Sequence, residues 1–185
     1  MAHPSLARAR VKAQSEHINY FASYDIPAVH MVASDLERRF GLFRRDLLIT
    51  LALPLTTDLA VLAKASDPRL KDTRWVDKVS RQLARATRTM HEHNFVHNDL
   101  KWRNLLVNQQ GELFFIDCPG GTFWSGSPLR YRIVKDLGCL DKVAKYQLSR
   151  TRRLRFYLQD REHERLTPED KDQVRRILRF FEGRE

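Results

Sequence analysis

The chain is poor in cysteine: its 185 residues hold two, Cys118 and Cys139. With no CxxC pair and no metal-type spacing, they argue against a disulfide framework or a zinc site and read as small buried thiols in a reducing compartment. Long hydrophobic runs are missing as well. No stretch nears the ~20 consecutive apolar residues of a membrane-spanning helix, and residues 1–30 lack the charged, apolar and small-residue succession of a signal peptide. The expectation is a soluble, cytoplasmic protein. Repeats and low-complexity tracts are also absent. What the chain has in excess is positive charge, with 33 Lys+Arg against 23 Asp+Glu and a formal net charge of +10. That favours anionic partners: nucleotides, phosphorylated glycolipids, nucleic acid or an acidic membrane surface. At 42% hydrophobic and 30% charged, the chain can bury one sizeable core, and a single domain over residues 1–185 is expected.

Apolar residues recur at helical spacing over 5–24, through Leu6, Ala9, Val11, Ala13, Ile18, Phe21 and Ala22, and Asp25-Ile26-Pro27 breaks the pattern. Two extended segments, 28–33 and 46–53, flank the basic turn Arg38-Arg39-Phe40-Gly41 and are expected to pair as a hairpin. Pro54 ends the second, and 57–65 predicts a short helix before the Ser66-Asp67-Pro68 turn. Over 72–91, Trp75, Val76, Val79, Leu83, Ala86 and Met90 mark one face of a long helix. The short apolar runs 104–107 and 112–116, joined by Asn108-Gln109-Gln110-Gly111, predict a tight hairpin. The remainder is helical in pattern: 133–146, 149–163, and a last helix opened by Thr167-Pro168-Glu169-Asp170, a capping hydroxyl followed by Pro and two acids.

The chemistry-bearing segment is His97-Asn98-Asp99-Leu100-Lys101-Trp102-Arg103-Asn104. It matches the H-x-D-L-x-x-x-N catalytic loop of protein kinases. Phe115-Ile116-Asp117 then ends a predicted strand on an acid. Phosphoryl transfer needs a carboxylate to orient the attacking hydroxyl, a cation beside the moving phosphoryl group, and two oxygen-bearing side chains to hold magnesium across the phosphates. Asp99, Lys101, Asn104 and Asp117 supply these in that order. A hairpin with Asn104 at its start and Asp117 at its end brings both to one place, as a shared metal site requires. An H-x-D triplet alone carries little, because His and Asp commonly sit in turns for local hydrogen bonds; the eight-residue match followed by a strand-ending Asp carries much more. His97 reads as a structural residue hydrogen-bonded beneath the loop. His91 and His93 read as turn residues, since no Cys or acid stands at ligand spacing from them.

Three further runs, Phe115-Ile116-Asp117-Cys118-Pro119-Gly120-Gly121, Lys135-Asp136-Leu137-Gly138-Cys139-Leu140, and Ser149-Arg150-Thr151-Arg152-Arg153-Leu154-Arg155-Phe156-Tyr157-Leu158, complete a pattern that resembles the lipopolysaccharide kinase (Kdo/WaaP) family of bacteria, including its InaA-type members. The resemblance covers about 5–160 and is strongest over 90–158. It implies an α+β, protein-kinase-like fold with a truncated small lobe and hinge over 1–54 and a mainly helical large lobe over 55–185. It also implies ATP and Mg2+ as cofactors, with a sugar hydroxyl of the lipopolysaccharide inner core or a precursor as acceptor. Asp136 would brace the backbone of the catalytic loop, a simple helix cap being the plainer alternative. The backbone of Leu51, Ala52 and Leu53 would meet adenine in the hinge, although an ordinary buried strand has the same composition. Residues 120–130, with Phe123 and Trp124, are a guess for the acceptor side. Peripheral contact with an anionic membrane surface fits the net charge.

The sequence departs from full kinases in three ways. A Gly-rich loop and a strand Lys precede the first helix in that fold, and this sequence starts at the helix. The helix Glu that pairs with that Lys falls on Gln14, and Glu16 lies about 200° further around the helix. Asp117-Cys118-Pro119-Gly120 replaces D-F-G, so no mobile Phe switch is expected. An upstream start, a cut-down member, and a pseudokinase scaffold that keeps its magnesium ligands all remain open. A basic nucleic-acid-binding module, drawn from Arg150, Arg152, Arg153 and Arg155 beside Phe156 and Tyr157, is the alternative from another class; no recognised nucleic-acid motif accompanies them, and nucleic acid is not an expected partner.

Overall fold

The computed structural model describes residues 4–40 and 42–183. Gly41 of the expected turn lies outside them, as do the side chains of Leu6, Ala9 and Arg38. Helix α1 (Pro4–Ser23) leads, and Ile18 and Phe21 are buried on one face. Strands β1 (Met31–Arg39) and β2 (Leu42–Thr50) form the expected antiparallel hairpin, with irregular register between Met31 and Ala33 and between Glu37 and Arg38. The first strand starts later than expected because residues 27–29 are used elsewhere. Phe115 N–H donates to the Pro27 carbonyl at 2.8 Å and Val29 N–H to the Phe115 carbonyl at 3.0 Å, with Ala28 bridged parallel to Phe115. Residues 51–53 are extended but lie past the end of β2.

The expected short helix is preceded by a two-residue strand. Thr57–Asp58 (β3) pairs with residues 106–107, and the Asp58 carboxylate then caps α2 (Leu59–Lys64) by accepting from Val61 N–H at 2.8 Å. Asp67 caps a 3₁₀ turn, and Asp72 caps the long α3 (Thr73–Glu92). All six residues expected on its apolar face are buried. After β4 (Phe95–Val96) comes the catalytic-loop segment, then the hairpin of β5 (Leu105–Val107) and β6 (Leu113–Phe115) in the order β3-β5-β6. Its turn closes through Asn108, whose Oδ1 accepts from Glu112 N–H at 2.9 Å, and Gly111 supplies the left-handed φ of +74°. The two-residue β7 (Thr122–Phe123) pairs with β4.

Three helices complete the chain. The first, α4 (Gly126–Gln147), begins seven residues before its expected start at 133. Gly126-Ser127-Pro128 reads as a turn, yet Pro fits a first helical turn, where the N–H groups have no intrahelical acceptor. Helices α5 (Arg150–Arg161) and α6 (Pro168–Arg179) follow, the latter closed by a reciprocal Thr167–Asp170 capping box. One apolar core runs from Phe21 through α3, Phe95, Leu100, Leu105, Leu113 and Phe115 to Leu140 on α4. Each such Leu or Phe contributes about 1.5–3 kcal/mol by leaving water. Both strands around the catalytic loop are thereby fixed from beneath. Among the described residues no helix is long and apolar enough to cross a membrane.

Candidate active site

The catalytic-loop segment is a tight turn between β4 and β5, and its backbone is anchored from below. Asp136, fully buried in the middle of α4, accepts from His97 N–H at 2.8 Å and stands 3.5 Å from His91 Nε2. Its position eleven residues into the helix rules out a cap and matches the bracing expected of it. The His97 ring corrects the expectation. It is fully buried, and neither of its nitrogens has a hydrogen-bond partner among the described residues; the backbone makes the bond instead. The ring lies against Phe21 and Phe115. Burial lowers its pKa in spite of Asp136, Asp99 and Asp117, all three of which pull it upward, so the ring is held neutral. The same three acids act on the Cys118 thiol, which burial first of all pushes up into inertness.

The Asp99 carboxylate pairs with Lys101 Nζ, and its Oδ2 lies 3.3 Å from both Arg103 Nη2 and Asn104 Nδ2. Burial raises the Asp99 pKa, but the bonds from Lys101, Arg103 and Asn104 outweigh it, and the net shift is downward. The group is an anion at neutral pH. Asn104 spends its amide N–H on the Asp99 carbonyl at 2.8 Å, and no group among the described residues engages its Oδ1. Ile116 N–H donates to the Asn104 carbonyl at 3.1 Å, so Asp117 sits one residue past the point where the hairpin strands meet. Its exposed carboxylate makes no hydrogen bond or ion pair among the described residues. The two oxygens that the sequence assigns to a metal are thus at one end of one hairpin and uncommitted. A hard divalent cation that takes part of its shell from phosphates and water suits that pair. No group of three or more His, Cys, Asp or Glu among the described residues could hold a metal, and His93 caps α3 instead.

Asn98 is a site residue that the sequence reading passed over. It adopts a left-handed φ of 64°, which Asn tolerates better than most residues. Its Nδ2 donates to the Gly120 carbonyl at 2.8 Å, its Oδ1 accepts from Arg132 at 3.2 Å, and its carbonyl accepts from Lys135 Nζ at 2.8 Å. Catalytic loop, metal loop and α4 are therefore tied through one side chain. The only local signal was an Asn beside the motif's Asp.

In the hinge, the Leu51 N–H is taken by the His30 carbonyl at 2.8 Å and the Leu53 carbonyl by Thr56 Oγ1 at 2.7 Å. The Leu51 carbonyl and the Leu53 N–H have no partner among the described residues. Phe123 is exposed at the end of β7, and Arg132 lies over the Trp124 ring at 5.0 Å. Most of the basic run on α5 is committed internally. Arg152 bonds Leu70 and Lys71 carbonyls and Thr73 Oγ1, Arg153 is bidentate to Asp141 at 2.6 and 2.7 Å, and Arg155 lies 3.7 Å from Asp77. A separate, mainly apolar cavity of ≈ 620 Å³ opens among α3, α4, α5 and α6, lined by Leu140, Leu154, Ile177 and Leu178 and also by Lys145, Arg150 and Arg153.

No curated protein matches the chain. Among solved structures it is similar to "WaaP in complex with acyl carrier protein", with a TM-score of 0.71 at 21% identity, covering 96% of this chain and 76% of that one. The likeness is one of fold: a small lobe with a sheet and a helical lobe. The sequence model of the lipopolysaccharide kinase (Kdo/WaaP) family matches residues 1–174, and the chain belongs to that family.

Proposed function

We propose that this member of a kinase family transfers the γ-phosphoryl group of ATP to a sugar hydroxyl of the lipopolysaccharide inner core or of a precursor. The observation that carries the reading is the pairing of two uncommitted oxygens, on Asn104 and Asp117, with an ionised Asp99 held by Lys101. Asn104 and Asp117 would hold Mg2+, which when bound neutralises charge across the phosphates. Asp99, which its lowered pKa keeps ionised, orients the acceptor hydroxyl and accepts its proton as the phosphoryl group transfers. Lys101 Nζ, beside that carboxylate, stabilises the moving phosphoryl group. Leu51, Ala52 and Leu53 offer adenine their free backbone groups. The net charge of +10 suits a phosphorylated glycolipid at an anionic membrane surface. The internal commitments of Arg152, Arg153 and Arg155 leave little for a nucleic-acid backbone. Residues 120–130 remain the proposed acceptor side.

The apolar cavity, with cationic side chains in its lining, suits the acyl chain of an acylated acyl carrier protein; acyl carrier protein is the partner named in the WaaP structure.

The test is transfer of label from [γ-³²P]ATP to isolated inner-core lipopolysaccharide. Wild type should label it, and Asp99→Asn should lower the rate by about 10²–10⁴-fold. Equal labelling by the two proteins would overturn the assignment.

A further inference from the structure

The peptide groups on both sides of Asp117 are held by α1, through side chains that lie more than a hundred residues away in sequence. Gln14, 8% exposed, donates from Nε2 to the Ile116 carbonyl at 2.8 Å and accepts at Oε1 from Cys118 N–H at 2.7 Å. One amide thus closes on the peptide groups at both sides of Asp117. One helical turn on, His17 Nδ1 lies 2.6 Å from the Cys118 carbonyl. A carbonyl only accepts, so Nδ1 carries the proton. Gln14 and His17 are three apart and share a helix face. Gly121 makes the approach possible, since a Cβ there would overlap the Phe95 ring and stand 2.7 Å from Cys118 Sγ and 3.2 Å from His17 Nδ1. The Asp117 carboxylate itself has no partner among the described residues. Its direction therefore follows its backbone, which α1 holds through Gln14 and His17 and β5 through the Asn104 carbonyl.

We propose that Gln14 and His17 are positioning residues for Asp117, and that they couple the α1–hairpin unit directly to the metal loop without an ion pair. This deepens the function proposed above and rests on Asp117 as a metal ligand. A neutral amide suits the task better than an acid. A carboxylate at position 14 could accept from Cys118 N–H, but it would face the Ile116 carbonyl with a second acceptor and add negative charge beside Asp117. Because Ser15 on the same helix contacts Met31 Sδ and Ser34 Oγ on β1, a displacement of the hairpin moves α1 and with it the aim of Asp117.

The fold supplies a matched control. Gln82 on α3 grips the turn end of the β5–β6 hairpin in the same way, donating to the Gly111 carbonyl at 2.6 Å and accepting from Leu113 N–H at 3.2 Å. Gln14→Met and Gln82→Met each remove two hydrogen bonds to the β5–β6 hairpin or its exit at nearly constant volume, Gln82→Met also losing its bond to the Lys78 carbonyl at 3.1 Å, and only the first lies beside Asp117. Magnesium is titrated calorimetrically at fixed ATP for both variants, wild type and Asp117→Ala. Asp117→Ala should lose magnesium dependence. Gln14→Met should raise the half-saturating magnesium concentration by about 10–100-fold, as loss of support behind a metal ligand does. Its ATP binding in EDTA should be unchanged, and Gln82→Met should stay close to wild type. A Gln14→Met curve that coincides with that of Gln82→Met would reduce Gln14 to a structural residue and overturn the proposal. Amide hydrogen exchange of the nucleotide-free protein tests the grip alone: Cys118 N–H should be protected in wild type and Gln82→Met and exposed in Gln14→Met. Fast exchange at Cys118 in wild type overturns the grip whatever the nucleotide does. Protection there without magnesium-dependent ATP binding in wild type overturns the metal role of Asp117, and the positioning role with it.

Discussion

Asp136→Ala should destabilise the fold by leaving a buried donor beneath the catalytic loop without its acceptor. Its carboxylate is fully buried and is the acceptor for a buried backbone N–H, that of His97, at 2.8 Å. A hydrogen bond to a charged acceptor contributes about 1.5–3 kcal/mol, and a buried donor left unpaired costs about as much. The Asp136 Oδ1 has no partner of its own, so part of the loss is offset when the buried charge goes. A net cost of about 2–3 kcal/mol follows, which at roughly 2–4 °C per kcal/mol for a chain of this size lowers the Tm by about 4–12 °C. Asp136→Asn keeps an oxygen for His97 and should cost about half as much or less. The assay is urea unfolding followed by tryptophan fluorescence at pH 7.5, supported by thermal melts. Alanine and asparagine variants both within about 0.5 kcal/mol of wild type, the range of ordinary surface changes, would refute the claim that this bond holds the loop.

Two further outcomes follow from groups away from the phosphoryl-transfer chemistry. Asp160 is buried on α5, and burial raises its pKa from 3.8 to about 6, against the downward pull of His91, Arg161 and Arg88. A folded-state pKa above the unfolded one penalises the fold fully above pH 6 and progressively less as pH falls towards 4; Asp160→Asn should therefore stabilise by up to about 3 kcal/mol at pH 8 and show no gain at pH 4. Chemical denaturation at the two pH values checks it, and a variant no more stable than wild type at pH 8 contradicts it. Leu178, half exposed at the mouth of the apolar cavity, can be charged without disturbing the core. Leu178→Asp should weaken binding of acylated acyl carrier protein by at least about tenfold in a pull-down or calorimetric titration, the factor that 1.4 kcal/mol represents, with Tm unchanged; undiminished binding would remove the cavity from the partner reading.

Local chemistry made much of this fold legible. Helix α3 announced itself because Trp75 to Met90 repeat at 3.6 residues, and the β5–β6 hairpin because two apolar runs flank a Gly-containing polar turn. The site followed the same logic, since Asp99, Lys101 and Asn104 lie within six residues and Asp117 is brought back by one hairpin. What stayed hidden was long-range. The Gln14 grip spans 102 and 104 residues and the Pro27–Phe115 bond 88, and neither leaves a trace in periodicity. The identity of Gln14 suggested a hydrogen bond but not its partners. The His97 ring misled because a buried imidazole usually finds a partner, whereas here aromatic packing against Phe21 and Phe115 fills that place. The early start of α4 was concealed by Gly126 and Pro128, which mark turns more often than helix beginnings.

The central claim is that Asn104 and Asp117 form a working magnesium–nucleotide site in this chain, and thermal unfolding with and without magnesium-ATP tests it most directly. At a nucleotide concentration a hundred times the dissociation constant, binding should add about 2.7 kcal/mol to the wild type. The increment should require magnesium and vanish in Asp117→Ala. A wild-type melt that magnesium-ATP leaves unmoved, or a shift that Asp117→Ala retains in full, would contradict the account.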